Sequence, residues 1–359
     1  MRCAFYPSRK KAPSAFCKHT SPDRNSLILR SNALFARNRN KIAVQGYTKR
    51  REAAVSNNMQ NVIAVIWDFD KTLIPGYMQE PLFNHFKADG SAFWQENQRL
   101  IRELKDKGVE VNSDTFYLNL ILRHVKSGEW PGLSNELLFS LGSQIKVREG
   151  AAALLQKIKA LGDNERYKRH NIAFENYIVS TGLKRMVMGS ELGALVDHIW
   201  GCEFTEDEAG SVSEVAYSID NTTKTRAIFE INKGVHFLGG NVDVNTKIAK
   251  EDRRVQFSNM VYVADGPSDV PAYSIVNQYG GSTLAVYDRE SPDNQSFLQA
   301  KELLDTDRVD IIAEADFLEG SLAYKWIMSE VTEMADSIIR RHEETWQRYK
   351  RGTPGHIVE

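Results

Sequence analysis

At 359 residues with 42% apolar side chains, the chain is long enough for one large α/β domain with an inserted module, or for two small domains, and apolar enough for a packed core. Its net charge of −1 averages two unlike parts: residues 1–58 hold 13 Lys and Arg against only Asp23 and Glu52, leaving 33 basic and 45 acidic residues in 59–359. No apolar run approaches the ~20 residues of a membrane-spanning helix, and Cys3, Cys17 and Cys202 supply neither a disulfide framework nor a C-x-x-C pair, which argues against membrane, zinc and redox classes and for a reducing, cytoplasmic compartment.

The first 58 residues are rich in Arg, Ser and Asn and carry no sustained apolar period. They read either as an organelle transit peptide, with import as the consequence, or as a stretch upstream of a translation start at Met59. Nucleic-acid binding is not expected of them, and neither reading makes them part of the fold.

Val62 to Trp67 is a continuous β-branched run ending on Asp68, the pattern of a strand buried on both faces. After Pro75-Gly76 the pattern turns helical over Glu80–Phe93, Gln95–Lys107, Ser113–Val125 and Asn135–Ser143, with a break at Trp130-Pro131-Gly132. A helix over Ala151–Leu161 leads to an apolar strand, Tyr177-Ile178-Val179, that ends on Ser180. A further helix and a strand around Ile199 follow, and a helix over Thr225–Ile231 stops at Lys233-Gly234. Met260–Ala264 is a third apolar strand, ending on Asp265, and Thr283–Tyr287 a fourth candidate. Leu318–Tyr349 reads as a helix whose apolar stripe runs through Trp326, Ile327, Val331, Met334, Ile338 and Trp346. Strands alternating with helices predict a parallel α/β sheet with right-handed crossovers.

Ligands of open parallel sheets bind beyond the carboxyl ends of the strands, so Asp68, Ser180 and Asp265 can converge there. In Asp68-Phe69-Asp70-Lys71-Thr72, two aspartates just past a strand can divide the work of nucleophile and general acid, although an Asx-turn closing the strand explains the same residues. In Asp265-Gly266-Pro267-Ser268-Asp269 the glycine permits a tight turn that aims two carboxylates at one hard cation, with a surface turn as the alternative.

The order Asp-x-Asp-x-Thr, strand-Ser, Lys, then Asp-x-x-x-Asp resembles the haloacid dehalogenase-like (HAD) phosphohydrolase superfamily over about residues 60–320, and the helical insert after the first motif resembles the cap of its phosphoserine phosphatase-like branch. The resemblance implies a Rossmann-like parallel sheet core (59–75 and 146–317), a helical cap (76–145), and a C-terminal helix and tail (318–359) outside the shared fold. It implies Mg²⁺-dependent hydrolysis of a small phosphorylated metabolite. By the same resemblance Asp68 is the nucleophile, Asp70 the acid and then base, and Thr72 a brace. Ser180 and the N–H of Thr181 bind phosphoryl oxygens, as does Lys224, chosen over Lys247 and Lys250 because it begins a helix. Asp68, the Asp70 carbonyl and Asp265 hold the metal, with Asp269 acting through water or by orienting another ligand. An acid at Asp70 argues for phosphate chemistry, because dehalogenases of the superfamily lack one there.

Substrate is less legible. Phosphoserine phosphatases carry an early acidic residue near the position of Tyr77, and Glu80 is the nearest acid here, which speaks against phosphoserine itself. Tyr77, Met78 and Phe83 line a pocket or simply pack the cap; Trp94, Trp130, His85, His124 and Cys202 read as structural. A phosphotransferase or mutase using the same intermediate, and a non-catalytic binding protein on this fold, remain the alternatives, the second opposed by the complete set of motif residues. Oligomeric state is not legible.

Overall fold

The computed structural model describes residues 61–238 and 242–351, so the readings of residues 1–58 and of the last residues of the tail lie outside the described part. The protein is α/β: a seven-stranded sheet of order β4-β3-β2-β1-β5-β6-β7, parallel except for β4 against β3. The strands are β1 (Val62–Trp67), β2 (Ala173–Leu183), β3 (His198–Glu206), β4 (Val212–Tyr217), β5 (Met260–Ala264), β6 (Ser282–Tyr287) and β7 (Ile311–Glu314).

The central strands are buried on both faces: Ile63 to Trp67 of β1 and Met260 to Ala264 of β5 are all inaccessible, as the apolar runs require. From β1 the chain winds outward through β2 and β3, then returns to the other side of β1 for β5, β6 and β7. The direction of winding therefore reverses beside β1, and the crevice past the carboxyl ends of β1 and β5 is the place where such sheets bind ligands.

Four helices and no strand lie between β1 and the helix that precedes β2: α1 (Glu80–Phe86), α2 (Gly90–Asp106), α3 (Phe116–Ser127) and α4 (Asn135–Gly142). The helix expected over Glu80–Phe93 is in fact broken. Lys87 turns left-handed (φ 54°), and Asp89 caps a new helix by accepting from the amides of Ser91 and Ala92, so the expected second helix is absorbed into α2. Inside this group Trp130 is buried and stacks with Phe86, Phe93 and His124. The group meets the core through α7 (Lys184–Gly189), after α5 (Ala151–Ala160) and the one-turn α6 (Glu165–Lys168). At that seam a Cβ on Gly189 would stand 1.8 Å from the carbonyl oxygen of Phe139, so backbone touches backbone.

The remaining helices are α8 (Lys224–Lys233), α9 (Val270–Gln278), α10 (Gln295–Asp305) and α11 (Leu322–Arg351). The last packs on β1, β5, β6 and β7, burying Ile327, Val331, Ala335 and Ile338; Trp346, expected in its apolar stripe, is 64% exposed instead. Trp67 links the layers, edge-on to Phe317 and donating from Nε1 to Asn176 Oδ1 at 3.1 Å. Strands β4 and β7 have no counterpart in the sequence reading. They are short edge strands, and β4 alternates weakly, with Ala216 exposed beside Glu214 and Ser213 half-buried beside Val215 and Tyr217. Among the described residues no helix is long and apolar enough to cross a membrane.

Candidate active site

The register of the sheet assembles the site. Trp67 pairs with Val263 and with Ile178, so Asp265 and Ser180 each lie one residue beyond the level of Asp68 on the two strands that flank it. Strand β2 runs on to Leu183 rather than stopping at Ser180, with a register shift between Val179 and Leu183 that presents Ser180 and Thr181 at the rim. The Asp68 amide still donates to the Val263 carbonyl at 2.9 Å, which carries the ladder up to that residue. Beyond it the chain folds back: Lys71 is left-handed (φ 59°), its amide donates to Gly76 O at 3.0 Å, and the Met78 amide donates to Asp70 Oδ1 at 2.8 Å. The Thr72 hydroxyl reaches Asp68 Oδ2 at 3.3 Å.

Lys224 opens α8, where Thr223 and Asp220 cap one another: each backbone amide donates to the other's side chain at 2.7 Å. Its Nζ, 1% exposed, lies 2.7 Å from Asp68 Oδ1 and 2.6 Å from Asp269 Oδ1. Asp269 is saturated, accepting also from Tyr262 OH at 2.5 Å on Oδ1 and from the Ser268 hydroxyl at 2.8 Å on Oδ2. Asp265, by contrast, has no hydrogen-bond or ion-pair partner among the described residues. The turn between them does not depend on the freedom of glycine: Gly266 is extended (φ −177°) with open space at its Cβ position, and Pro267–Asp269 form a single 3₁₀ turn.

Burial dominates the electrostatics. It raises Asp68 to about 6 against the pull of Lys224, raises Asp70 to about 8 with Asp68 adding to the effect, and raises Asp265 to about 7 with Asp68 and then Asp269 contributing. For Lys224 burial opposes the charge, but Asp269 and Asp68 outweigh it and hold the ammonium protonated above its ordinary range. The buried Lys224 ammonium thus faces four carboxylates, with the exposed Lys71 ammonium acting on Asp265 and Asp70 from outside. Oxygens of Asp68, Asp265 and Asp269 lie within 4.8 Å of one another, an all-oxygen donor set with one carboxylate left free, which fits a hard cation such as Mg²⁺. The Asp70 carboxylate is not in that group; it turns to Met78 instead.

Ser180 is buried and its Oγ accepts from the Gly182 amide at 3.0 Å, while the Thr181 carbonyl accepts from Tyr117 OH at 2.8 Å and from Cys202 Sγ at 3.3 Å. Gly182 packs against the Met78 side chain: a Cβ there would stand 2.1 Å from Met78 Cε, and the thioether would have to turn aside. Met78 thereby joins the two motifs, with its amide on Asp70 and its sulfur accepting from the Leu183 amide at 3.1 Å. Tyr77 is half exposed beneath the Lys71 ammonium, and Glu80 is exposed at the start of α1. Both line a cavity of about 200 Å³ with Pro81, Gln144 and Lys146, and none of the four aspartates lines it. Sequence reasoning overlooked Tyr262 and Tyr117 and took Met78 only as a pocket or packing residue. Tyr262 is indistinguishable from a core aromatic within β5, and Tyr117 and Met78 act through contacts across 64 and 105 residues of chain.

No family model matches the chain. An uncharacterized protein of Borreliella burgdorferi is 35% identical over 293 residues, covering 77% of this chain and 98% of that protein. Among solved structures, a HAD family hydrolase from Salmonella enterica serovar Typhi is similar at 13% identity over 71% of this chain and 68% of that one, with a TM-score of 0.44. A phosphoserine phosphatase solved as an analogue of its phospho-aspartyl intermediate is similar at 14% identity over 70% and 93%, TM-score 0.41. A protein of unknown function from Bordetella pertussis Tohama I follows at 14% identity over 71% and 99%, TM-score 0.42.

Proposed function

We propose from the site itself, since the chain belongs to one family with an uncharacterized Borreliella burgdorferi protein whose name assigns no chemistry, that it hydrolyses a small phosphate monoester through an aspartyl-phosphate on Asp68. In support, Asp68, Ser180 and Asp265 stand at one rim of the sheet with Lys224 reaching in from α8, the arrangement that the resemblance to the haloacid dehalogenase-like superfamily implies. The observation that carries the proposal is the Lys224 ammonium shared by Asp68 and Asp269, beside a free Asp265, at the reversal point of the sheet.

A carboxylate oxygen of Asp68 attacks phosphorus in line, and the bond from phosphorus to the ester oxygen breaks. Asp70, whose carboxyl is held up to about 8, carries the proton at neutral pH that the departing alkoxide needs. The alcohol leaves and Asp68 carries the phosphoryl group. Asp70, now ionised, takes a proton from water as its oxygen attacks phosphorus, which frees phosphate and restores both carboxyls. Lys224 keeps Asp68 ionised against the effect of burial, and its charge, the Ser180 hydroxyl and the Thr181 N–H receive the phosphoryl oxygens. Mg²⁺ held by Asp68, the Asp70 carbonyl and Asp265, with Asp269 orienting Lys224, would supply the neutralising charge that lets a dianion approach so many carboxylates.

The test is phosphate release from an aryl phosphate by residues 59–359. Release is expected with Mg²⁺ and not without it, lost in Asp68→Asn and blocked by beryllium fluoride. An Asp68→Asn chain that kept the metal-dependent rate would remove the nucleophile from the scheme.

A further inference from the structure

Gln79 is 2% exposed, yet its Oε1 has no hydrogen-bond donor among the described residues. A buried acceptor without a donor is costly and calls for a reason, and a ligand that brings the donor is one. The position of Gln79 is specific. It follows Met78, whose amide holds the Asp70 carboxylate, and its carboxamide lies against the hydroxyl of Tyr117. Tyr117 is itself 4% exposed and spends its proton on the Thr181 carbonyl at 2.8 Å, while the donor side of the Gln79 carboxamide faces its oxygen and leaves the Gln79 Oε1 as the acceptor without a donor. Asp70 is close enough to contribute to holding the Tyr117 phenol protonated. One open acceptor, the Gln79 Oε1, therefore stands beside the turn that holds the proton donor.

We propose that Gln79 and Tyr117 form the leaving-group subsite and that it takes an uncharged, hydroxyl-bearing alcohol, so that the substrate is the phosphate monoester of a polyol or sugar. The proposal rests on the hydrolase reading above and adds the substrate class to it. An anionic leaving group would bring no donor to the Gln79 Oε1. A cationic one would meet the Lys71 ammonium, which sits 4.7 Å over the Tyr77 ring and is drawn toward Asp265 and Asp70. The rings of Tyr77, Trp94 and Tyr117, with centroids 5.6 and 5.7 Å apart in succession, supply an apolar wall for the carbon face of such an alcohol.

The experiment compares kcat/KM for glycerol phosphate and n-propyl phosphate, which share a carbon chain and differ in two hydroxyls. The unaltered chain is expected to favour glycerol phosphate by roughly tenfold or more, the effect of at least one hydrogen bond between uncharged groups. Gln79→Met should close most of that gap, and Gln79→Glu should move the preference toward phosphoethanolamine, a shift that a merely structural glutamine would not cause. Equal kcat/KM for the two esters in the unaltered chain, or an unchanged ratio in a folded Gln79→Met chain, overturns the subsite. Because the first comparison needs no variant, a misfolded substitution does not shelter the proposal. Absence of Mg²⁺-dependent phosphate release from every ester, aryl phosphate included, would instead count against the hydrolase reading beneath it.

Discussion

Replacing Lys224 by methionine keeps the length of the side chain and removes the charge. The ammonium is almost fully buried and contacts two carboxylates, one 7% exposed and one 0%, so water cannot take its place. Breaking a buried pair by deleting one partner costs about 3–5 kcal/mol, because the other charge is left uncompensated. Loss of an electrostatic stabiliser at a reacting centre costs about 10²–10³ in turnover. The stability loss should depend on pH, and its sign follows from the groups involved. Lys224 has a folded pKa raised above its unfolded 10.5, so its contribution is fully present below 10.5 and lost only as pH rises through the folded value. At both pH 5 and pH 8 it is therefore charged in the parent. The carboxylate Asp68 already titrates near 6 beside the lysine and must titrate higher without it. At pH 5 the variant escapes much of the penalty by protonation, whereas at pH 8 it bears nearly all of it. Urea melts at the two pH values without metal, with Mg²⁺-dependent phosphate release as a second readout, measure both effects. An equal stability loss at pH 5 and pH 8, or a rate within threefold of the parent, would refute the reasoning.

Two further outcomes follow from the same geometry. Asp68, Asp70 and Asp265 all have folded pKa values raised above the unfolded 3.8, to about 6, 8 and 7, so the folded chain binds more protons and metal-free stability should fall as pH rises from about 4 to 8. Mg²⁺ should offset that fall, giving a larger rise in melting temperature at pH 8 than at pH 5 by thermal shift; a metal-free chain more stable at pH 8 contradicts it. Gly182→Ala drives a methyl to within 2.1 Å of Met78 Cε, so the Met78 thioether must turn aside and its sulfur gives up the Leu183 amide, while its own amide stays on Asp70. Overpacking of about 1–3 kcal/mol is expected in chemical denaturation, together with a slower rate; a change under about 0.5 kcal/mol would show that the contact is slack.

What was legible in the sequence was whatever is encoded locally. The runs Val62–Trp67 and Met260–Ala264 announce buried strands because parallel central strands need no polar face, and the aspartates closing them then mark the rim. The acidic motifs could be located without knowing which strands pair, and the reversal beside β1 brings Asp68 and Asp265 together. Contacts between distant segments stayed hidden. Nothing near Tyr117 indicates a bond to Thr181, and nothing near Met78 indicates a sulfur contact with the Leu183 amide. The break at Lys87–Asp89 was missed because apolar periodicity runs across it, while the stop comes from a left-handed residue and a side-chain cap.

The ladder bond from the Asp68 amide to Val263 separates the two carboxyls of the first motif mechanically. Asp68 moves only if the middle of the sheet moves, whereas Asp70 hangs beyond the last rung, steadied by the amide of Met78 at the head of the helical segment. Displacement of those helices can therefore carry the proton donor away from the ester while the attacking oxygen stays in place. Timing in such a device would reside in the helices, and aim in the strands.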